Sequence, residues 1–144
     1  MTSNLSNVLW IGGAPKSGKT ALAQALAAKH GPVLYACDHA DRWPFMLEEL
    51  TALSARGRSV LAEGVGLMPA LVMPILPDPR QALWLACDPA SKRAMSERDR
   101  LLAEEIETQA LRHGGRLLYA GEDGPASLLA RAEAWWRPFL VHGS

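Results

Sequence analysis

The chain has 144 residues, 49% hydrophobic and 21% charged, and its 15 acidic side chains balance 15 basic ones. A chain of this size and composition is typical of one hydrophobic core, so we expect a single domain over residues 1–144. The zero net charge and the lack of a basic cluster in the sequence argue against a nucleic-acid partner.

Apolar runs alternate with helical patterns along the whole chain. The predicted strands cover residues 8–12, 33–37, 59–62, 82–86 and 116–119. The predicted helices cover residues 18–29, 43–57, 69–73 and 125–136, with further helix inside residues 89–113. Because strands that alternate with helices form parallel sheets covered on both faces, we expect an α/β fold in three layers.

The segment 89–113 has two interpretations. As one helix it would be about 37 Å long, which is more than a five-residue strand needs for its crossover. Ser96 begins an S-x-x-D pattern that ends at Asp99, and this pattern is typical of a capped helix start. The segment is therefore predicted either as two helices that meet near Ser96 or as one continuous helix.

A phosphate-binding pattern follows the first predicted strand and opens the first predicted helix. It reads G-A-P-K-S-G-K-T and fits G-x-x-x-x-G-K-[ST]. Glycines let backbone N–H groups turn inward around an anion, and the helix N-terminus adds its positive end. The pattern predicts that a nucleoside triphosphate is bound by Gly13, Ala14, Pro15, Lys16, Ser17, Gly18, Lys19 and Thr20. Lys19 is placed to reach the β- and γ-phosphates, and Thr20 to hold Mg²⁺. Lys16 either contacts the γ-phosphate or points into water.

Two acidic positions are candidates for chemistry beside such a loop. Asp38 follows the second strand and can orient or deprotonate an attacking hydroxyl. Its alternative role is a helix cap, which we assign instead to Asp41 because a cap lies just before the first turn. Glu63 ends the third strand and can hold Mg²⁺ through a water together with Thr20. The alternative for Glu63 is a solvated loop acid.

Arg93, Arg98 and Arg100 lie in one stretch of the chain. Guanidinium groups bind phosphate oxygens bidentately, so we expect one of the three to contact phosphate. Glu97 and Glu104 lie three residues before and four residues after Arg100, so ordinary surface ion pairs are the alternative.

The chain resembles the nucleoside-monophosphate kinases and shikimate kinases among the P-loop kinases. Its loop is similar to the G-A-P-G-S-G-K loop of adenylate kinases, with Lys16 where that family has glycine. The L-A-E-G segment that ends at Gly64 and the arginine cluster at 98–100 carry a weaker similarity. The resemblance implies a P-loop NTPase sheet in the order 2-3-1-4-5, with the site at the carboxyl ends of the strands. It also makes Asp38 the acceptor-binding base and Arg98 the first candidate for the moving phosphoryl charge.

The chain departs from these kinases at their acceptor-binding insertion and at their lid. The second and third strands are joined by a short connection, and the lid can be no more than a turn near Ser96. A kinase must keep water from the γ-phosphate, so the acceptor or a partner must close the site, or the chain is a reduced member of the group. We expect phosphoryl transfer from MgATP to a small hydroxylated or phosphorylated metabolite, with Lys19, Asp38 and Arg98 as catalytic residues. The alternatives are a nucleotide-binding switch or slow NTPase without a small acceptor, and a structural subunit.

Other features of the sequence concern partners and location. No N-K-x-D guanine-reading pattern follows the fourth strand, which favours ATP over GTP. The apolar segment 67–73 is predicted as core, with a homodimer interface as the alternative. Cys37 and Cys87 each end an apolar run and are predicted as reduced core thiols. The longest apolar stretch is interrupted by prolines and the first seven residues are polar, so we expect a cytoplasmic protein with no membrane partner.

Overall fold

The computed structural model describes residues 5–119 and 124–140, so most of the polar N-terminal segment lies outside the described residues. The strands are β1 (Val8–Gly13), β2 (Val33–Ala36), β3 (Val60–Glu63), β4 (Ala82–Ala86) and β5 (Leu117–Tyr119). They form a five-stranded sheet in the order β2-β3-β1-β4-β5, with every neighbouring pair parallel. Both the α/β class and the predicted strand order are confirmed.

Helices cover the two faces of this sheet. They are α1 (Lys19–His30), α2 (Trp43–Ala55), α3 (Pro69–Val72), α4 (Pro89–Arg93), α5 (Glu97–His113) and α6 (Gly124–Leu140), and short 3₁₀ helices cover Ala40–Arg42, Met73–Ile75 and Pro79–Gln81. On one face, side chains of α2, α3 and α5 pack on Trp10 and Trp84. On the other face, α1 and α6 pack on Ile11, Leu83 and Leu85. This is the expected three-layer arrangement, because successive strand residues point to opposite faces.

The segment after β4 is interrupted, so the two-helix interpretation is confirmed. Ser96 precedes α5, and its hydroxyl accepts a hydrogen bond from the backbone N–H of Asp99 at 3.1 Å. Lys92 on α4 pairs with Glu107 on α5 at 2.7 Å, and both side chains are mostly buried. The Ser96 cap starts α5, and the ion pair links α4 to it.

The start of α2 differs from the prediction that Asp41 caps it. An extra 3₁₀ turn, Ala40–Arg42, precedes the helix and contains Asp41. Arg42 therefore occupies the capping position, and no side chain caps the helix. Asp41 is exposed, and its predicted capping role is wrong because the helical turn begins earlier than the sequence pattern indicated.

Other predictions hold with small shifts at the ends of elements. Leu67 and Val72 are buried, as expected for the apolar segment 67–73, and Cys37 and Cys87 are buried free thiols. The last helix continues to Leu140, past the predicted end at residue 136. Across residues 5–119 and 124–140, no helix is long and apolar enough to cross a membrane.

Candidate functional site

The loop of residues 13–18 turns tightly over the end of β4. Gly13 has a φ of +137°, and a Cβ added there would lie 2.4 Å from the carbonyl oxygen of Leu85. The next residue, Ala14, donates its N–H to the same oxygen at 3.1 Å. Only glycine combines this φ with so close an approach. The loop is therefore anchored to the centre of the sheet at its carboxyl edge.

Lys16 adopts a left-handed backbone conformation, with φ +60°. For a residue with a Cβ, the conformation costs about 1–2 kcal/mol. The Lys16 side chain is exposed, so the loop presents an ammonium group to solvent from a strained backbone position.

Lys19 is buried under the loop, with 7% of its surface exposed. Its Nζ donates to the carbonyl oxygen of Ala14 at 2.7 Å. Burial lowers the pKa of Lys19, and the nearby carboxylates of Glu63 and Asp38 act in the opposite direction. A cation held this way is stabilised further by any anion bound in the loop.

Ser17 also has unused bonding capacity. Its hydroxyl is buried, and no hydrogen-bond partner lies within reach among the residues that the structure describes. Buried hydroxyls are normally bonded, so such an exception needs an explanation. An oxygen-rich ligand in the loop would provide the missing partner.

Glu63 lies at the end of β3, beside Ile11 of β1 on one side and Ala36 of β2 on the other. Its Oε1 accepts a hydrogen bond from Thr20 Oγ1 at 3.3 Å, which links β3 to the start of α1. Burial raises the pKa of Glu63, and the hydrogen bond from Thr20 partly offsets that rise. The hydroxyl and the carboxylate predicted to hold Mg²⁺ are thus brought together.

Asp38 is brought beside Glu63 by a close contact between two loops. The N–H of Cys37 donates to the carbonyl oxygen of Glu63 at 2.7 Å, and the N–H of Gly66 donates to the carbonyl oxygen of Cys37 at 2.8 Å. A Cβ added to Gly64 would lie 2.1 Å from the Cys37 oxygen and 3.0 Å from Asp38 Oδ1. Burial, followed by the neighbouring carboxylates, raises the pKa of Cys37 to about 12, so this thiol stays protonated at neutral pH. Asp38, unlike Cys37, is exposed.

The junction between α4 and α5 also lies beside the loop. Ala14 packs with Cys87 and with Ala103 of α5, and Met95 covers this small cluster. The Arg98 side chain is exposed and forms no hydrogen bond or ion pair with any described residue, so its predicted phosphate contact stays a prediction. Arg100 pairs with Glu97 at 4.0 Å, which is the ordinary surface pairing considered for this cluster.

Two cavities border these groups. A cavity of about 320 Å³ between α1 and α6 meets the loop at Ser17 and Gly18. Its walls are mostly apolar, and α1 contributes Ala21 and Ala25 to them. A second cavity, of about 240 Å³, lies on the other side of the site beside Asp38.

The second cavity contains polar residues that the sequence did not single out, namely Tyr35, Arg42 and Glu49. They come from β2, the 3₁₀ turn and α2. No motif spacing joins them, because packing of α2 on the sheet brings them together. Among the lining residues, the sequence pattern had singled out Asp38.

The site fits a nucleotide-bound magnesium ion. Mg²⁺ is usually held by one or two protein oxygens together with phosphate and water oxygens, and Thr20 and Glu63 offer one hydroxyl and one carboxylate. Within the described part of the chain, no group of three or more His, Cys, Asp or Glu side chains is placed to hold a metal ion by itself.

Comparisons with known proteins leave the family open. No protein-family model matches the chain, and no curated protein matches it.

Proposed function

We propose that the chain binds MgATP and transfers its γ-phosphoryl group to a small hydroxylated or phosphorylated metabolite. The observation that carries this proposal is the convergence of three strand ends. The loop of residues 13–20 follows β1, Glu63 ends β3, and Asp38 follows β2, all at the carboxyl edge of one parallel sheet. Ligands bind at this edge in open α/β sheets.

Different groups of the site would perform different steps of a phosphoryl transfer. Backbone N–H groups of the loop and the ammonium of Lys19 would hold the triphosphate. Thr20 and Glu63 would hold Mg²⁺, which would neutralise charge on the phosphates. The exposed Asp38 carboxylate would receive the proton of the acceptor hydroxyl. Positioning and charge stabilisation supply most of the catalysis in this class of reaction.

The cavity between α1 and α6 is suited to the nucleobase. It begins at Ser17 and Gly18, where the loop ends, and its walls are apolar enough to cover a flat ring. The cytoplasmic location and a homodimer remain predictions from the sequence.

A nucleotide-binding switch or slow NTPase is the second candidate function. It is favoured by the openness of the site, since Asp38 is exposed and only residues 94–96 separate α4 from α5. A site without a lid admits water, which competes with an acceptor for the γ-phosphate. A compound that increases ADP formation above the basal rate would favour the kinase, whereas nucleotide-dependent association with a partner would favour the switch.

Replacement of Asp38 by asparagine tests the assignment. ADP formation would be measured with a panel of polyols, hydroxy acids and sugar phosphates, and MgATP affinity would be measured separately. Asp38→Asn should lower acceptor-stimulated turnover by about 100-fold or more, as loss of a general base does, with MgATP affinity nearly unchanged. Asp41→Asn is the matched control, because Asp41 is exposed on the adjacent 3₁₀ turn. Unchanged turnover in Asp38→Asn would remove the base assignment.

A further inference from the structure

The cavity beside Asp38 is bounded by three elements of the fold. The end of β2 forms one wall, the 3₁₀ turn Ala40–Arg42 forms a second, and the first turns of α2 form the third. Asp38 and His39 lie at its border with the nucleotide site. A compound in this cavity would therefore be adjacent to the carboxylate that we propose as the base.

Arg42 lines the cavity as a cation that the structure otherwise leaves unexplained. No carboxylate among the described residues pairs with it at 4.0 Å or less. It lies at the N-terminus of α2, where the helix dipole disfavours a positive charge, and the first turn has no acidic residue to compensate. Neither an ion pair nor helix stabilisation accounts for a guanidinium here.

The guanidinium of Arg42 is held in place by an aromatic ring. Its Cζ lies 5.2 Å from the centre of the Phe45 ring, a cation–π distance. Phe45 is itself exposed, so the stacked pair covers little core. A stacked guanidinium keeps its N–H fork available for a carboxylate or phosphate group.

Two other lining residues, one from β2 and one from α2, form a hydrogen-bonded pair. The hydroxyl of Tyr35 donates to Oε1 of Glu49. Burial raises the pKa of Tyr35, and the bond to Glu49 raises it further, so the phenol remains a donor at neutral pH. The Glu49 carboxylate keeps acceptor capacity for a hydroxyl group of a bound compound.

The size of the cavity limits what it can hold. Pockets for drug-sized ligands enclose about 300–1,000 Å³. At about 240 Å³ this cavity is smaller, and smaller than the apolar cavity of about 320 Å³ that we assign to the nucleobase. Its volume matches a compound of one ring or a short chain, and a nucleotide would extend out of it into solvent.

We propose that this cavity is the acceptor subsite, and that the acceptor is a hydroxylated compound smaller than a nucleotide whose anionic group is bound by Arg42. The inference rests on the proposed kinase function. The acceptor hydroxyl oxygen forms a bond to the γ-phosphorus, and the bond from that phosphorus to the β,γ-bridging oxygen breaks. The hydroxyl proton passes to Asp38, and the products are ADP and the phosphorylated acceptor.

A matched set of acceptors tests the inference. ADP formation would be measured with glycerol and glucose as neutral compounds, glycerate and gluconate as carboxylates, glycerol 3-phosphate and glucose 6-phosphate as phosphate esters, and AMP as a nucleotide. We expect at least one anionic compound to be a better acceptor than its neutral analogue and than AMP. Comparison of the carboxylates with the phosphate esters shows which of the two anionic groups is preferred.

Variants of Arg42 test whether the preference for an anionic acceptor depends on this cavity. Arg42→Gln should raise KM for the anionic acceptor about 10- to 100-fold, as expected for losing charge-assisted hydrogen bonds, and should leave KM for MgATP unchanged. Arg42→Lys keeps the charge without the fork and should fall between wild type and Arg42→Gln. Arg58→Gln is the control, because Arg58 is exposed in the turn before β3, away from the cavity.

The outcomes separate this inference from the proposed function. If MgATP does not bind, the proposed function fails and this inference fails with it. If MgATP binds and the neutral compounds or AMP are preferred, or if no anionic compound raises ADP formation, the inference alone is overturned. Equal KM values for Arg42→Gln and Arg58→Gln would also overturn it.

Discussion

Replacing Gly64 with alanine should force apart the two loops that carry Asp38 and Glu63. Gly64 has a φ of +153°, and an added Cβ would lie 2.1 Å from the carbonyl oxygen of Cys37. Real Cβ atoms essentially never come within 3.0 Å of such a neighbour, so the segments must separate by about 1 Å. The obstructing atom belongs to the backbone, which a side-chain rotation cannot relieve.

The expected losses follow from that displacement. Overpacking against a fixed neighbour costs about 1–3 kcal/mol, and the positive φ adds about 1 kcal/mol for alanine. We therefore expect Gly64→Ala to lower the free energy of unfolding by about 2–4 kcal/mol. A misplacement of about 1 Å at a reacting centre can cost about 100-fold in rate, so ADP formation should fall by that order.

Gly57 provides the matched control. It has a φ of +77°, no atom lies within 4 Å of its added Cβ, and it lies in the turn before β3, at the opposite end of the strand from Gly64. Gly57→Ala should cost only about 1 kcal/mol and leave ADP formation unchanged. Unfolding in urea, followed by tryptophan fluorescence, and ADP formation would be measured for both variants. If Gly64→Ala behaves like Gly57→Ala in both assays, the proposed coupling of the two loops is refuted.

Two further variants test the charges of the site. Burial raises the pKa of Glu63 in the folded protein above 4.5, its value in an unfolded chain. The free energy of unfolding of wild type should therefore fall as the pH rises from about 4.5 through the pKa of Glu63 in the folded protein. Glu63→Gln lacks this titration, so its stability relative to wild type should increase across that pH range, measured by urea unfolding from pH 4 to 8. It should also bind MgATP more weakly than wild type does, with the affinity for metal-free ATP unchanged. A stability difference independent of pH would contradict this account. Lys16→Gly removes the strain of the left-handed backbone at φ +60° but adds the entropy cost of glycine. The net effect should be a rise of up to about 1 kcal/mol in the free energy of unfolding, measured in the same assay. A loss of stability would contradict the strain, and a reduced preference for ATP over ADP would assign Lys16 to the γ-phosphate.

Much of the fold could be predicted because its signals are local. The phosphate-binding pattern is contiguous, and each strand of the parallel sheet is a short apolar run. The cap at Ser96 is encoded within four residues, Ser96 to Asp99, and the structure has that cap. Such patterns depend on backbone geometry and burial, and neighbouring elements change them little.

The parts that could not be predicted depend on packing between distant segments. Asp41 was expected to cap α2, but the chain forms an additional 3₁₀ turn that places Arg42 at the helix start. Tyr35 and Glu49 meet because α2 packs on the sheet beside β2, and no spacing in the sequence indicates a bond between them. The direction of an exposed side chain such as Arg98 is set by its ligand as much as by the fold, so its role remains a prediction.

Nucleotide binding and phosphoryl transfer both depend on the loop of residues 13–20, which we expect to bind the triphosphate through Lys19. Calorimetric titration of MgATP into wild type and Lys19→Met tests it most directly. Methionine retains the buried apolar stem and removes a cation whose burial lowers its pKa, which offsets the loss of the Lys19 hydrogen bond to Ala14, so the variant should fold. The loss of charged hydrogen bonds worth about 3 kcal/mol should weaken binding about 100-fold from a micromolar dissociation constant. Equal binding by both proteins, or no binding by wild type, would contradict the account.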